Sequence, residues 1–206
     1  MALTTYSELK SSVADWLNRT DLTSTIPDFI SLAEAQVERK LRTRQMIVRA
    51  NATIDTEYGT VPADYLEVKS LKLQTNPITP LQFETIDALD GLQAQYPSAS
   101  KPRFFSIVGS QIRTIPTPDS SYTAELTYYA KLTKLSDTTT TNWLLTAAPD
   151  IYLYGALLQA APYLKDDARI SVWATMYTSA MEDLQVADDR GSTSGGALIA
   201  RAKTFG

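Results

Sequence analysis

The chain has 206 residues, is 44% hydrophobic and 20% charged, and carries a net charge of −4. That is enough for one well-cored domain or two small ones, with no global attraction to nucleic acid. It has no cysteine and no histidine. This removes disulfides, thiolate metal sites, the commonest general base and the commonest zinc ligand, which argues against most hydrolase chemistries but leaves a carboxylate-pair or Ser–Lys mechanism open.

The first helix is signalled by TTYSELKSSVADWLNR, where Thr5 and Glu8 have the spacing of a capping box and Leu9, Val13, Trp16 and Leu17 fall on one face. A second helix is expected in TIPDFISLAEAQVERKLRTR. There Thr25 caps, Pro27 sits in the first turn, Asp28 completes a second box, and Phe29, Leu32, Ala33, Val37 and Leu41 form the stripe. A short polar loop joins the two into an antiparallel hairpin.

From Ile47 the pattern changes to short runs separated by turns, with many threonines, valines and prolines. IVRANATI alternates, placing Val48, Ala50, Ala52 and Ile54 on one face. LEVKSLKLQ changes phase at Lys69–Ser70, which predicts a bulge. ETIDALDGLQAQ reads as a short helix closed near Gly91. RFFSIVGSQIRTIP reads as a hairpin in which Gly109–Ser110 supplies a type II′ turn between Phe104–Val108 and Gln111–Ile115. YTAELTYYAKL places Ala124, Leu126, Tyr128 and Ala130 on one face and Thr123, Glu125, Thr127 and Tyr129 on the other. Such runs favour an antiparallel sheet closed into a small sandwich or barrel.

After the polar stretch SDTTTT, helix is expected from Pro149 to about Pro162. No charged residue lies between Ile151 and Leu164, but the run is shorter than the roughly 20 apolar residues a membrane span needs. A helix with almost no polar face is either the centre of its own domain or covered partly by another subunit. Small residues there permit close approach, so Tyr152, Gly155, Ala156 and Gln159 are the candidate subunit-packing positions. A last long helix follows, with Ile170, Trp173, Met176 or Tyr177, Ala180 and Leu184 inward. The Gly/Ser-rich, acid-free end from Gly191 is expected to be flexible when free.

The expected architecture is α+β: a helical bundle from both chain ends, residues 1–46 and 142–190, with an antiparallel β domain inserted over 47–141 and a tail over 191–206. The cluster Arg39, Lys40, Arg42 and Arg44 has two readings, a solvated helix C-terminus suited to the helix dipole, or a contact with DNA phosphate or an acidic partner. The acid pairs Asp166–Asp167, Glu182–Asp183 and Asp188–Asp189 read as structural. No nucleotide, metalloprotease or nucleophile-elbow motif is present, and no cofactor or metal is expected.

The order and spacing of these parts resemble the head-to-tail adaptor (connector) proteins of short-tailed bacteriophages, over nearly the whole chain. The resemblance rests on TYSELKSSVADWLNRTDLTSTIPDFISLAEAQVERKLR, TVPADYLEVKSLKLQ, PRFFSIVGSQIRTIPTPD, YTAELTYYAKLTKLS and NWLLTAAPDIYLYGALLQAAPYLKDD taken together. It implies a non-enzymatic virion protein at the head–tail interface, made in the host cytoplasm, that forms a ring, usually of twelve copies, beneath the portal. The ring extends the DNA channel, meets tail or nozzle proteins and touches passing DNA without specificity. It further implies a C-terminal segment ordered against the portal, here with Leu198, Ile199 and Phe205 as anchors and Arg201 and Lys203 as charged contacts. Two alternatives stand beside it: a tail-associated cell-wall hydrolase using Glu57, Glu67 or Glu125, and a carbohydrate-binding β module with Phe104, Phe105, Tyr128 and Tyr129 as a platform.

Overall fold

The computed structural model describes residues 3–164 and 168–193. These form two compact units, one from the chain ends up to Gln45 and from Leu132 onward, the other over Met46–Lys131. The fold is α+β, with helices at both ends flanking the β-rich region.

In the helical unit, α1 (Tyr6–Leu17) starts on the expected capping box. The Glu8 N–H donates to Thr5 Oγ1 at 3.3 Å, and the Thr5 N–H donates to Glu8 Oε2 at 3.0 Å. It ends at Asn18 in the left-handed region, φ 53°. Leu9, Val13 and Leu17 are buried, whereas Trp16 is 43% exposed and rests edge-on against Tyr154. α2 (Ile26–Lys40) keeps Pro27 in its first turn, but Thr25 makes no side-chain cap bond. Its backbone is already helical, φ −98° and ψ −18°, so its hydroxyl is not aimed at the following N–H groups as an extended N-cap would be. The buried stripe runs through Ile26, Phe29, Ile30, Ala33 and Val37, and Leu32 points to solvent.

α4 (Trp143–Ala147) is a five-residue helix too short to show periodicity in the sequence. α5 (Pro149–Gln159) is the apolar helix, and it packs against α1, α2 and α6 (Arg169–Thr193). Its α-helical pattern stops three residues before Pro162, which lacks the N–H that would bond the Leu158 carbonyl, and a 3₁₀ turn, Ala161–Tyr163, follows. At Gly155 an added Cβ would lie 3.1 Å from Ala33 Cβ and 3.2 Å from Tyr177 Cε2, so glycine sets the spacing at which α2, α5 and α6 meet. Trp173, Tyr177 and Ala180 are the buried side of α6, while Met176 is exposed.

A buried polar chain ties these helices together. Glu34 on α2 is only 2% exposed. Its Oε1 accepts the Leu135 N–H at 2.8 Å and the Tyr152 hydroxyl at 3.1 Å. That hydroxyl accepts from Asn142 Nδ2 at 2.6 Å. Asn142 in turn caps α4, its Oδ1 accepting the Leu145 N–H at 2.9 Å, and donates to the Thr133 carbonyl at 2.7 Å. Burial raises the Glu34 carboxyl above its ordinary value, opposed by the bonds from Leu135 and Tyr152 and by Lys134, and reinforced by Glu38.

The β unit has two four-stranded sheets. The first, in order β1-β8-β3-β4, holds β1 (Ile47–Ile54), β3 (Tyr65–Leu73), β4 (Thr79–Pro80) and β8 (Tyr122–Ala130). The second, in order β2-β7-β6-β5, holds β2 (Tyr58–Thr60), β5 (Gln82–Phe83), β6 (Phe104–Val108) and β7 (Gln111–Ile115). Leu71, Leu73, Leu126 and Tyr128 of one sheet share a core with Phe105 and Ile112 of the other, as in a small sandwich. The β6–β7 hairpin has the expected ends, with Gly109 at φ 61° and Val108 opposite Gln111, which suits a type II′ turn. The β3–β8 register shifts between Val68 and Ser70, as the phase change predicts, and again between Tyr65 and Glu67. One pair departs from the antiparallel expectation, since β5 and β6 run parallel.

α3 (Ile86–Gln95) continues through Gly91 instead of closing there. It is held to its sheet by Arg113 of β7, which is 7% exposed. Arg113 Nε donates to Glu57 Oε1 at 2.7 Å, and its other nitrogens donate to Asp90 and Gln93 of α3. The guanidinium also lies 5.7 Å from the Tyr58 ring centre.

Two predictions follow from these polar contacts. A carboxyl whose folded pKa is raised loses stability as pH climbs from its ordinary value near 4.5 through the raised one. Glu34→Gln, which keeps both oxygen contacts' geometry without the charge, is therefore expected to melt no lower than the natural chain at pH 7, with any advantage shrinking toward pH 4.5. Tyr152→Phe, by contrast, is expected to cost about 1–3 kcal/mol, because it strips one partner from the buried Glu34 carboxylate and one from the partly buried Asn142. Thermal melts across that range decide, and a Gln variant far less stable at neutral pH would contradict this. In the β unit, Arg113→Met is expected to cost about 2 kcal/mol. Asp90→Asn, whose side chain is 58% exposed, is expected to cost under about 1 kcal/mol. Equal costs in urea unfolding would show that Arg113 is not the hub.

Candidate partner-binding surface

The basic cluster sits where α2 ends, and the structure divides it. Arg42 Nη1 donates to the carbonyls of Glu38 at 2.8 Å and Leu41 at 2.7 Å, closing the helix C-terminus. Arg44 is held by Asp188 of α6. Its Nε donates to Asp188 Oδ1 at 2.9 Å, and its backbone N–H reaches both carboxylate oxygens, at 3.0 and 3.2 Å. The guanidinium lies over Gly191, where an added Cβ would collide with it. α6 thus extends through Gly191 to Thr193, past the point where the tail was expected to begin, and Arg44 covers the glycine that read as a linker residue.

Arg39, Lys40 and Arg44 are exposed, but Arg39 and Lys40 differ from Arg44 in making no ion pair among the described residues. Their charges complement the C-terminal end of the α2 dipole. Lys40 also borders an open groove of about 370 Å³, walled by Tyr177, Met181, Gln185 and Val186 of α6. Further along α6, Val172 and Met176 are 52% and 42% exposed. The helical unit therefore presents a mixed apolar and cationic surface suited to a protein partner more than to base stacking.

The positions singled out for subunit packing are mostly occupied within the chain. Tyr152, Gly155 and Ala156 are buried inside the helical unit, and Gln159 Nε2 donates to Gln36 Oε1 at 3.0 Å. Burial by α1, α2 and α6 accounts for the apolar face of α5, and no neighbouring subunit is needed to cover these residues. The tail residues Leu198, Ile199, Arg201, Lys203 and Phe205 lie outside the described residues, as do Asp166 and Asp167.

Most residues named for the two alternatives are engaged within the fold. Glu57 is engaged by Arg113, and Glu125 binds Lys72 at 2.7 Å. Lys72 lowers the Glu125 carboxyl below its ordinary value, the opposite of what a general acid needs. Glu67 is exposed on β3. Among the expected platform aromatics, Tyr128 and Phe105 are each 2% exposed and belong to the sandwich core. The Tyr128 hydroxyl donates to Asp64 at 2.8 Å, and its pKa is pushed up to about 12 by burial and by that carboxylate. Tyr129 is covered by the Lys69 ammonium, 5.5 Å from its ring centre. A sugar platform needs an open row of rings, and these strands alternate them across the sheet.

Among the described residues no cluster of acids could hold a metal ion, and no helix is long and apolar enough to cross a membrane. No curated protein matches the chain. A family model does, over residues 4–200, which includes both helical segments and the whole β unit between them. The chain belongs to the SU10 adaptor protein family.

Proposed function

We propose that this protein is a non-enzymatic structural component of a bacteriophage virion that assembles as a ring between the portal vertex and the tail, continuing the DNA channel and offering the tail a docking surface. The observation that carries this reading is the family match across residues 4–200, which takes in the fold's two units and not a single shared element. Three features of the chain support it. Buried Glu34 and Arg113 are engaged in polar contacts that join elements of the fold, as befits a scaffold. The exposed cations Arg39 and Lys40 are sparse, so a wall bearing them touches passing DNA without retaining it. The segment 194–206 has no acid and carries Arg201 and Lys203 among Leu198, Ile199 and Phe205, a composition suited to docking on a partner.

In this reading Leu198, Ile199 and Phe205 are the portal anchors, and a ring of about twelve copies offsets through avidity what each tail loses on ordering. The protein is made in the host cytoplasm and ends at the head–tail interface, with tail or nozzle proteins below it. Mixing the full chain with its portal ring and weighing the product by light scattering tests this. A complex of fixed high stoichiometry is expected, in which residues 194–206 become protease-resistant. Leu198→Asp with Phe205→Asp is expected to weaken the complex at least tenfold. A chain that ignores the portal at high micromolar concentration would overturn the proposal.

A further inference from the structure

The edges of the two β sheets are not treated alike. β4, β5 and β2 are two or three residues long, and β4 ends in Pro80, so three of the four edges offer little for another strand to pair with. β1 is different. It has eight residues in unbroken register with β8, from Ile47 opposite Tyr129 to Ile54 opposite Tyr122. Among the described residues no backbone bond reaches its other edge. Val48 is 39% exposed, and Arg49, Asn51, Ala52 and Thr53 are exposed as well. Alongside that edge lies a cleft of about 240 Å³ that opens toward the sandwich core, lined by Ala50, Ala52, Ile54, Leu71, Ala124 and Leu126. The cleft's other wall is Gly59–Pro62 beside β2, which makes no backbone bond to β1 among the described residues, and a long, regular edge without a backbone partner is a template for strand addition.

The sequence of β1 is self-complementary. When an antiparallel strand pairs with its own copy, only registers that set a residue opposite itself keep the core-facing side chains of both copies on one side. With Ala52 on the dyad, Ala50 faces the partner's Ile54 and Asn51 faces the partner's Thr53. Arg49 then faces the partner's Asp55, twice over by symmetry. Arg49 is the strand's one charged residue, and Asp55 is the exposed acid that directly follows it. Centring on Ala50 or Asn51 sets Arg49 against Asn51 or Thr53 and leaves Asp55 without a directly opposed base.

The geometry points to a two-fold dimer of the free protein, in which β1 of one copy pairs antiparallel with β1 of another about Ala52. The partner is a second copy of this chain; the pairing itself stands independently of the adaptor reading, and only its role before assembly rests on that reading. A cyclic ring has no dyad between neighbours, so such a dimer belongs to the unassembled protein and must open before a ring can close. It hides the one long edge while the chain waits for its assembly partner.

Sedimentation equilibrium of the full chain at low ionic strength tests it. A monomer–dimer equilibrium is expected. Asp55→Lys is expected to raise the dimer dissociation constant roughly tenfold, since two attractions become two repulsions. Adding Arg49→Asp to Asp55→Lys is expected to restore it. The chain has no cysteine of its own, so Ala52→Cys should cross-link to itself under mild oxidation as a disulfide-bonded dimer. Circular dichroism confirms that each variant folds. A chain that stays monomeric with no cross-link overturns the inference, as does a dimer or larger assembly indifferent to the charge swap.

Discussion

The helical unit depends on one buried hydroxyl. Tyr152 stands in the middle of the most apolar helix of the chain, where an unpaired polar atom would cost on the order of 1–3 kcal/mol. Its oxygen is satisfied on one side by Glu34 and on the other by Asn142. Each has a further partner in the segment from Leu132 to Leu145, so the hydroxyl links two anchored groups. Glu34 needs donors because it is buried, and Asn142 must be held in place to cap α4. The three satisfy one another, and in doing so they fix α5 against α2 and against the segment between Leu132 and Asn142. Sheer apolarity drives α5 inward, but apolar packing alone tolerates several rotations about the helix axis. The hydroxyl selects one. With that rotation set, Gly155 meets Ala33 and Tyr177, and α6 can close on the other side.

The β unit is organised around a different polar centre. Arg113 fastens α3 to its sheet by a fork whose partners come from both the loop before β2 and the helix. A guanidinium can do this because its donors are fixed in one plane, and a lysine in the same place would satisfy fewer of them. Elsewhere the sandwich relies on alternation, with β8 as its most regular strand. β1 departs from the expected alternation: Ile54 alone is buried, and the residues on its core side, Ala50 and Ala52, are small, so the core is left open at its border.

The features legible in the sequence are those whose causes lie within a few residues. The Thr5–Glu8 box, the Gly109–Ser110 turn, the alternation of β8 and the phase change at Lys69–Ser70 are all local, and each appears where the pattern places it. What the sequence hid is set by distant partners. Glu34 looks like an ordinary surface acid on a helix, because the N–H and hydroxyl that bury it lie at Leu135 and Tyr152. Arg113 looks like the polar half of an edge strand until α3 folds over it. Leu32 sits on a plausible stripe yet faces outward, and Trp16 reaches α5 only edge-on at Tyr154 and stays half-exposed, since the tertiary position of α5 chooses the buried side. Thr25 has a capping residue's identity without its backbone shape. Among the candidate contact residues, Arg39 and Lys40 are left without an ion pair among the described residues, while Arg42 closes its own helix and Arg44 is taken by Asp188 of α6. Nothing in their order along the chain distinguishes one pair from the other.

The central claim is that the apolar helix is covered by its own chain and not by an assembly partner. Amide hydrogen exchange on the free protein, at a concentration where light scattering finds no ring, tests it most directly. Amides from Tyr152 to Leu157 are expected to exchange among the slowest in the molecule, close to the rate of global unfolding. Rapid exchange there in the free chain, slowing only once the portal-bound assembly forms, would contradict the account. It would mean that a neighbouring subunit completes the core.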